Sequence, residues 1–210
     1  TLDDESIKAA YHTVEQKLNG QGLNMLINNA AINTGLQLDN ILEKEMLNTY
    51  NSNVIGPWKV TKVFLPLLKK SVKSNQPHNA QQSSIIMISS LMSSMELAKS
   101  FPFFAYDYQC SKAALNMFTV CMAKEWEKKG IFIALVHPGW VRTDMGGDSA
   151  DPDTDTAVTN IVECLQSLKA EHYGRLIDST QASIITIFPC WGAHVNDVVL
   201  ACRRRLGVLY

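Results

Sequence analysis

The stretch YDYQCSKAAL, residues 106–115, places two tyrosines ahead of one lysine at the start of a helical pattern. Tyr108 and Lys112 are four residues apart, so their side chains are neighbours on a helix surface. A phenol with a pKa of about 10 carries protons poorly at neutral pH, and a nearby ammonium group lowers that pKa. Tyr106 has Cys110 instead of a cation at the same spacing. The pattern admits two interpretations: Tyr108 is a general acid–base group tuned by Lys112, or the two residues form an ordinary surface pair.

Proton transfer to a carbonyl oxygen also needs a hydroxyl donor that holds the oxygen while negative charge develops on it. Ser89 and Ser90 can supply that hydroxyl, because they end the apolar run SIIMISS. Such a run is typical of a fully buried strand, and the chain has similar runs in LNMLINNAA, IFIALVHPGW and YGRLID.

Helical patterns lie between these runs, at about residues 3–18, 38–72, 106–129 and 156–168. Apolar strands that alternate with helices predict an α/β fold whose parallel sheet is covered on both faces. In such sheets ligands bind beyond the carboxyl ends of the strands. That edge is predicted to carry three pairs of residues: Asn28 and Asn29, Ser89 and Ser90, Pro138 and Gly139.

The composition argues against several classes of function. Hydrophobic residues make up 46% of the 210 residues and the net charge is −1, which is typical of one globular domain and argues against nucleic acid as a partner. The five cysteines show no C-x-x-C spacing, so no metal site is expected, and their scatter favours the reducing cytoplasm. Residues 182–201 are apolar but include Pro189, His194 and Asp197, so no membrane span is expected.

Five motifs resemble those of the short-chain dehydrogenase/reductase family and follow the same order. They are NNAA at residue 28, NVIG at residue 53, ISS at residue 88, YQCSKAAL at residue 108 and HPGWVRTDM at residue 137. The last string and the long segment between Ser90 and Tyr108 look most like the C-factor/sniffer-like carbonyl reductases. The resemblance implies a Rossmann-like, doubly wound parallel sheet. It also implies an oxidoreductase that acts on a small-molecule carbonyl or alcohol with NADP, NAD being the alternative cofactor.

The resemblance also implies a role for each matching residue. Tyr108 is expected to be the catalytic acid–base group, and Lys112 to lower its pKa and hold the nicotinamide ribose. Ser90 is expected to orient the substrate, and Asn53 to carry a proton-relay water with Lys112. The cofactor-binding residues implied beside Tyr108 and Lys112 are Asn29, Ala30 and Ala31, near the adenosine half, and Pro138, Val141 and Thr143, near the carboxamide.

Two parts of the sequence depart from the family pattern. The family's first strands and its T-G-x-x-x-G-x-G loop have no counterpart here, so the N-terminal part of the domain is expected to be missing. Residues 1–183 are predicted to form the family's domain, and residues 184–210 an atypical C-terminal tail. Outside the motifs, Asn28 is expected to tie neighbouring strands together, and His137 to be a hydrogen-bonded turn residue.

Two hypotheses from different classes follow. In the first, the chain is a carbonyl reductase with a Tyr-Lys-Ser-Asn site. In the second, it is a catalytically inactive variant that retains only a protein-interaction surface. The helices beginning near Leu38 and at Tyr108 resemble those through which family members dimerise, so a homodimer is the expected assembly.

Overall fold

One five-stranded sheet organises the structure, a computed structural model that describes residues 3–72, 80–81 and 83–187. Its strands are β1 (Met25–Asn28), β2 (Ser84–Ile88), β3 (Phe132–His137), β4 (Leu176–Asp178) and β5 (Ser183–Ile185). They lie across the sheet in chain order. The first four are parallel and β5 is antiparallel to β4. The predicted α/β fold with a Rossmann-like parallel sheet is confirmed.

Helices provide the crossovers that parallel strands require. Within the described residues they are α1 (Asp4–Leu18), α2 (Glu43–Tyr50), α3 (Gly56–Ser71), α4 (Tyr106–Trp126) and α5 (Thr154–Ser167). None of the helices in this part of the chain has the length and apolarity needed to cross a bilayer.

Helices α2 and α3 form one helical run that differs from the prediction in two ways. The run begins at Glu43 and not near Leu38, because Gln37 O accepts from Asn40 N and Ile41 N and so closes a separate turn first. A π-helical turn, Asn51–Ile55, lies between α2 and α3. Such turns occur often at functional sites.

The apolar runs of β2 and β3 are fully buried, as the sequence predicted. Alternate residues point to opposite faces. On one face Ile85, Met87, Ile133 and Leu135 pack with residues of α3 and α4, and on the other Ile86, Ile88, Ala134 and Val136 pack with residues of α5. Because both faces are covered, the two strands are held rigidly and fix the positions of the loops at their carboxyl ends.

Strand β1 is less covered than its neighbours. Within the described residues it pairs with β2 alone, and Ile27 is 44% exposed. The Asn28 side chain was expected to tie neighbouring strands together, but its Nδ2 donates to Thr61 Oγ1 of α3 at 3.2 Å. Asn28 therefore joins the sheet to a helix.

Strand β5 was not predicted as a separate strand. It spans Ser183–Ile185 and therefore crosses the predicted domain boundary at residue 183. Beyond it, Thr186 O accepts from Ser94 Oγ at 2.6 Å and Ile187 O accepts from Met95 N at 3.0 Å. The boundary itself stays a prediction, and residues 188–210 of the predicted tail lie outside the described residues.

Candidate active site

The first turns of α4 bring Tyr108 and Lys112 to the carboxyl edge of the sheet. Lys112 is only 2% exposed, and its Nζ donates to Ile88 O, the last residue of β2, at 2.7 Å. The same Nζ lies 5.6 Å from the centroid of the Tyr108 ring. Lys112 therefore connects the helix to the strand end and lies under the tyrosine ring, which excludes the ordinary surface pair.

Burial is the main cause of the pKa shifts of both residues. Burial lowers the pKa of Lys112 to about 8. Burial also raises the pKa of Tyr108, and an interaction with Ser90 lowers it by less. Burial is therefore the larger influence on Tyr108, and the expected lowering by Lys112, whose ammonium group donates to Ile88 O, stays a prediction. Tyr108 is therefore protonated at neutral pH.

Ser90 lies in the loop that leaves β2 and is 7% exposed. It caps a single 3₁₀ turn, Leu91–Ser93, in which Ser90 Oγ accepts from Met92 N at 3.1 Å. Because the oxygen accepts a backbone hydrogen bond, its own proton remains available to a second acceptor. Ser90 lies close enough to Tyr108 to lower the pKa of its phenol. The structure therefore brings together Ser90, Tyr108 and Lys112.

Asn53 lies in the π-helical turn and is fully buried. Its Nδ2 donates to Ile32 O and to Ser111 Oγ, both at 2.9 Å, and its Oδ1 accepts from Ile32 N at 2.8 Å. The amide thus joins the loop after β1 to α4, one residue before Lys112. Its expected part in a proton relay stays a prediction.

The predicted cofactor-binding residues follow the carboxyl ends of β1 and β3. Asn29 and Ala30 are exposed, and Ala31 is half-buried. In the second segment Pro138 and Val141 are half-buried and Thr143 is exposed. The two segments flank the end of β2, where Ser90 begins its turn. Their contacts with a cofactor stay predictions.

Residues 1–154 match the family model described as short chain dehydrogenase. The chain belongs to the short-chain dehydrogenase family. The C-signal protein of Myxococcus xanthus is 35% identical over 158 residues, which cover 74% of this chain and 88% of that protein. Short-chain dehydrogenase anuI of Penicillium roqueforti is 31% identical over 184 residues, which cover 83% of this chain and 69% of that protein.

Two solved structures in this family are similar to the chain. An NADPH-bound carbonyl reductase from chicken fatty liver has a TM-score of 0.81 and 37% identity, with 88% of this chain and 74% of that chain covered. Carbonyl reductase Sniffer of D. melanogaster also has a TM-score of 0.81, with 31% identity and 88% and 75% covered. These similarities confirm the predicted resemblance to the C-factor/sniffer-like group within the short-chain dehydrogenases.

One buried polar residue next to the candidate site that the sequence did not single out is Asn116. It is 1% exposed and hydrogen-bonds serines on both sides of Ser90. Asn116 is four residues after Lys112, the spacing that places both on one face of α4. That spacing is the signal by which the sequence points to Asn116, but it does not reveal the partner loop.

A second residue that the sequence did not single out is Asp107, which is 2% exposed. Its Oδ2 accepts from Thr49 Oγ1 at 2.7 Å and from Thr34 Oγ1 at 2.9 Å. Its Oδ1 is buried and has no partner within the described residues. Asp107, the residue before Tyr108, is thus hydrogen-bonded to α2 and to the loop after β1.

His137, the last residue of β3, is hydrogen-bonded as the sequence predicted. Its Nδ1 accepts from Leu91 N at 3.3 Å, which joins β3 to the turn that follows Ser90. Burial lowers the pKa of His137 to about 4, although the neighbouring Asp178 carboxylate acts in the opposite direction. The imidazole is therefore neutral at physiological pH, as an accepting Nδ1 requires.

Proposed function

We propose that this chain reduces a small-molecule carbonyl to an alcohol with NADPH, through Tyr108, Lys112, Ser90 and Asn53. The observation that carries the proposal is the proximity of Ser90, Tyr108 and the buried Lys112, whose Nζ lies 5.6 Å from the centroid of the Tyr108 ring. Two hydroxyl donors at one point of the carboxyl edge are suited to hold a carbonyl oxygen. Tyr108 is protonated at neutral pH, which is the form that a proton donor in carbonyl reduction needs.

The residues at this edge fit a nicotinamide cofactor. The polar groups near the carboxyl ends of β1, β2 and β3 include the exposed Asn29 amide, the Lys112 ammonium and the exposed Thr143 hydroxyl. Such donors suit the hydroxyl, amide and phosphate groups of a dinucleotide. Support for NADPH comes from the chicken carbonyl reductase, which is 37% identical and binds it. NADPH supplies hydride to the carbonyl carbon when it is bound.

Residues of the chain supply the proton that the carbonyl oxygen receives. Ser90 and Tyr108 hydrogen-bond the carbonyl oxygen, and their bonds strengthen as negative charge develops on it. The phenol of Tyr108 gives its proton to that oxygen, which yields the alcohol. The Lys112 ammonium stabilises the phenolate that remains. Asn53 holds the first part of α4 against the loop after β1 and so keeps these groups aligned.

A Tyr108→Phe substitution in the purified chain tests the proposal. We expect NADPH-dependent reduction of an aromatic or aliphatic carbonyl panel to fall about 10³-fold, because the acid is removed while the ring stays. Tyr106→Phe is the matched control, since Tyr106 lies on the same helix turn without a lysine partner, and near-wild-type activity is expected. Activity that survives Tyr108→Phe would refute the assignment.

The second candidate function is a protein-interaction surface without catalysis, and one surface feature favours it. A cavity of about 470 Å³ opens between α2 and α4, lined by Glu43, Met46, Leu47, Tyr50, Asp107, Cys110 and Ser111. Met46, Leu47 and Tyr50 are each more than 40% exposed. We propose a second copy of this chain as the partner there. A chain that sediments as a dimer but neither binds NADPH nor reduces any carbonyl would support this candidate over the first.

A further inference from the structure

The loop after β2 must hold Ser90 at a fixed distance from Tyr108 if the two hydroxyl groups are to share one oxygen. A backbone bond fixes its start, because Ser89 N donates to Val136 O of β3 at 2.8 Å. The turn Leu91–Ser93 that follows has two backbone hydrogen bonds of its own, from Ser93 N to Ser90 O and from Ser94 N to Leu91 O, and one helical turn is marginally stable by itself. Side chains from outside the loop must therefore fix it.

A chain of three hydrogen bonds reaches the loop from α4. Ser89 Oγ donates to Asn116 Oδ1 at 2.6 Å, and Asn116 Nδ2 donates to Ser93 Oγ at 2.7 Å. Ser93 Oγ in turn donates to the carbonyl oxygen of Ser90. Asn116 thus holds the residue before Ser90 directly and Ser90 itself through Ser93.

The direction of this chain follows from counting protons. A serine hydroxyl has one proton, and that of Ser93 goes to the Ser90 carbonyl, so Ser93 Oγ must accept from Asn116. The amide nitrogen of Asn116 therefore faces Ser93, and its oxygen faces Ser89. All of these groups are nearly inaccessible to water, since Ser89 and Asn116 are 1% exposed and Ser93 is 2% exposed. No member can replace a lost partner with solvent, so the loss of one bond is transmitted to the next.

We propose that Asn116 is a positioning residue of the catalytic site, which fixes Ser90 against Tyr108 through the hydroxyl of Ser93. The inference rests on the proposed function and deepens it. The side chain of Ser93 supplies the hydroxyl that links Asn116 to the Ser90 carbonyl. A sequence with glycine at residue 93 has no side-chain donor for the Ser90 carbonyl at this point.

Two variants, Ser93→Ala and Asn116→Leu, test the positioning role. Each removes hydrogen bonds with little change in volume. We expect kcat for carbonyl reduction to fall about 10-fold in each, with the KM for NADPH unchanged, because the reacting hydroxyl is misplaced and cofactor contacts are not touched. The kcat of the double variant is expected to equal that of the more impaired single variant, because both substitutions break the same chain of hydrogen bonds. Independent, multiplicative losses would overturn the proposal.

Amide hydrogen exchange gives a readout that does not depend on activity. Leu91 N and Met92 N donate to His137 Nδ1 and Ser90 Oγ, and we expect both to exchange faster in the two variants. Ser83→Ala is the matched control, because it removes a fully buried serine hydroxyl that donates to Leu68 O far from the site. In the Ser83→Ala variant, kcat and the exchange rates of the Leu91 and Met92 amides are expected to equal those of the wild type.

The pH profile separates positioning from a general loss of stability. The Ser90 interaction lowers the pKa of Tyr108, so a misplaced Ser90 should move the pH dependence of alcohol oxidation upward in both variants. The inference would be overturned if the pH dependence of alcohol oxidation did not move. It would also be overturned if the amides of Leu91 and Met92 exchanged no faster in both variants than in the wild type. A wild-type chain with no reductase activity contradicts the proposed function alone, because the exchange rates still decide whether Asn116 fixes the Ser90 turn.

Discussion

The proposed acid–base residues and the proposed cofactor-binding segments lie at the same edge of the sheet but differ in burial. Asn53, Ser90 and Lys112 are 0%, 7% and 2% exposed, and each hydrogen-bonds the backbone of a neighbouring element or of its own turn. Asn29 and Thr143 are exposed. The fold therefore holds the proposed acid–base residues in place and leaves the proposed cofactor-binding side open to solvent.

The difference follows from where each region sits relative to the core. Ser90 and Lys112 are anchored at the end of β2, which is covered on both faces. The segment after β3 turns back on itself, with Arg142 N donating to Pro152 O and Gly147 N to Thr143 O. A loop held by its own backbone can adapt to a ligand without disturbing the sheet. Substitutions on the two sides should therefore affect different kinetic constants.

The largest effect is expected from Lys112→Met, a substitution among the buried residues at the end of β2. We expect kcat/KM for carbonyl reduction to fall about 10³-fold, because the phenolate of Tyr108 loses its cation and Ile88 O loses its donor. Steady-state kinetics measures this loss. Lys124→Met is the control, since Lys124 on the same helix forms only an exposed ion pair with Glu127. Equal losses in both variants would contradict the role given to Lys112.

A smaller effect is expected from Thr143→Val on the open side. The substitution keeps the shape of the side chain and removes a hydroxyl that accepts from Gly146 N at 3.2 Å. We expect the KM for NADPH to rise about 5-fold with kcat little changed, because binding is weakened equally in the ground and transition states. Thr159→Val, on the exposed face of α5, is the control. A fall in kcat with KM unchanged would show that the open side also governs the chemistry.

The smallest effect is expected from His137→Asn and concerns stability. The folded-state pKa of His137 is about 4, below its ordinary value of 6.5, so the unfolded chain binds more protons between these values. The free energy of unfolding should therefore fall as the pH drops from 6.5 toward 4, by about 1 kcal/mol between pH 7 and pH 5.5.

Urea unfolding at the two pH values measures this slope. Asparagine does not titrate, and its Oδ1 can accept from Leu91 N where His137 Nδ1 does. The variant should lose about 1 kcal/mol less than the wild type over the same interval. Identical slopes in the two proteins would mean that His137 is not the group responsible.

Much of the fold could be predicted because β2 and β3 are long apolar runs whose burial leaves few alternatives. Strand β5 could not, because its three residues are largely exposed and it pairs antiparallel to β4 without an apolar pattern. The π-helical turn at Asn51–Ile55 depends on contacts with α4 and the loop after β1, which lie far away in the sequence.

The candidate site could be predicted in its members but not in its electrostatics. Motif order selects Tyr108 over Tyr106 and Ser90 over Ser89, and the structure brings Ser90, Tyr108 and Lys112 together. The direction of the Tyr108 pKa shift could not be predicted from the spacing to Lys112, because the spacing does not reveal the burial that raises this pKa. Asn116 could not be predicted because its partners lie 23 and 27 residues earlier in the chain.

The two hydrogen bonds from Ser94 and Met95 to residues 186 and 187 have a consequence for how such sequences diverge. They join the segment after β5 to the loop that starts at Ser90. An insertion or deletion in either segment alone would leave two carbonyl oxygens without donors. Lineages that alter the length of one segment are therefore expected to alter the other as well, so that the two evolve as a pair while the strands between them stay constant.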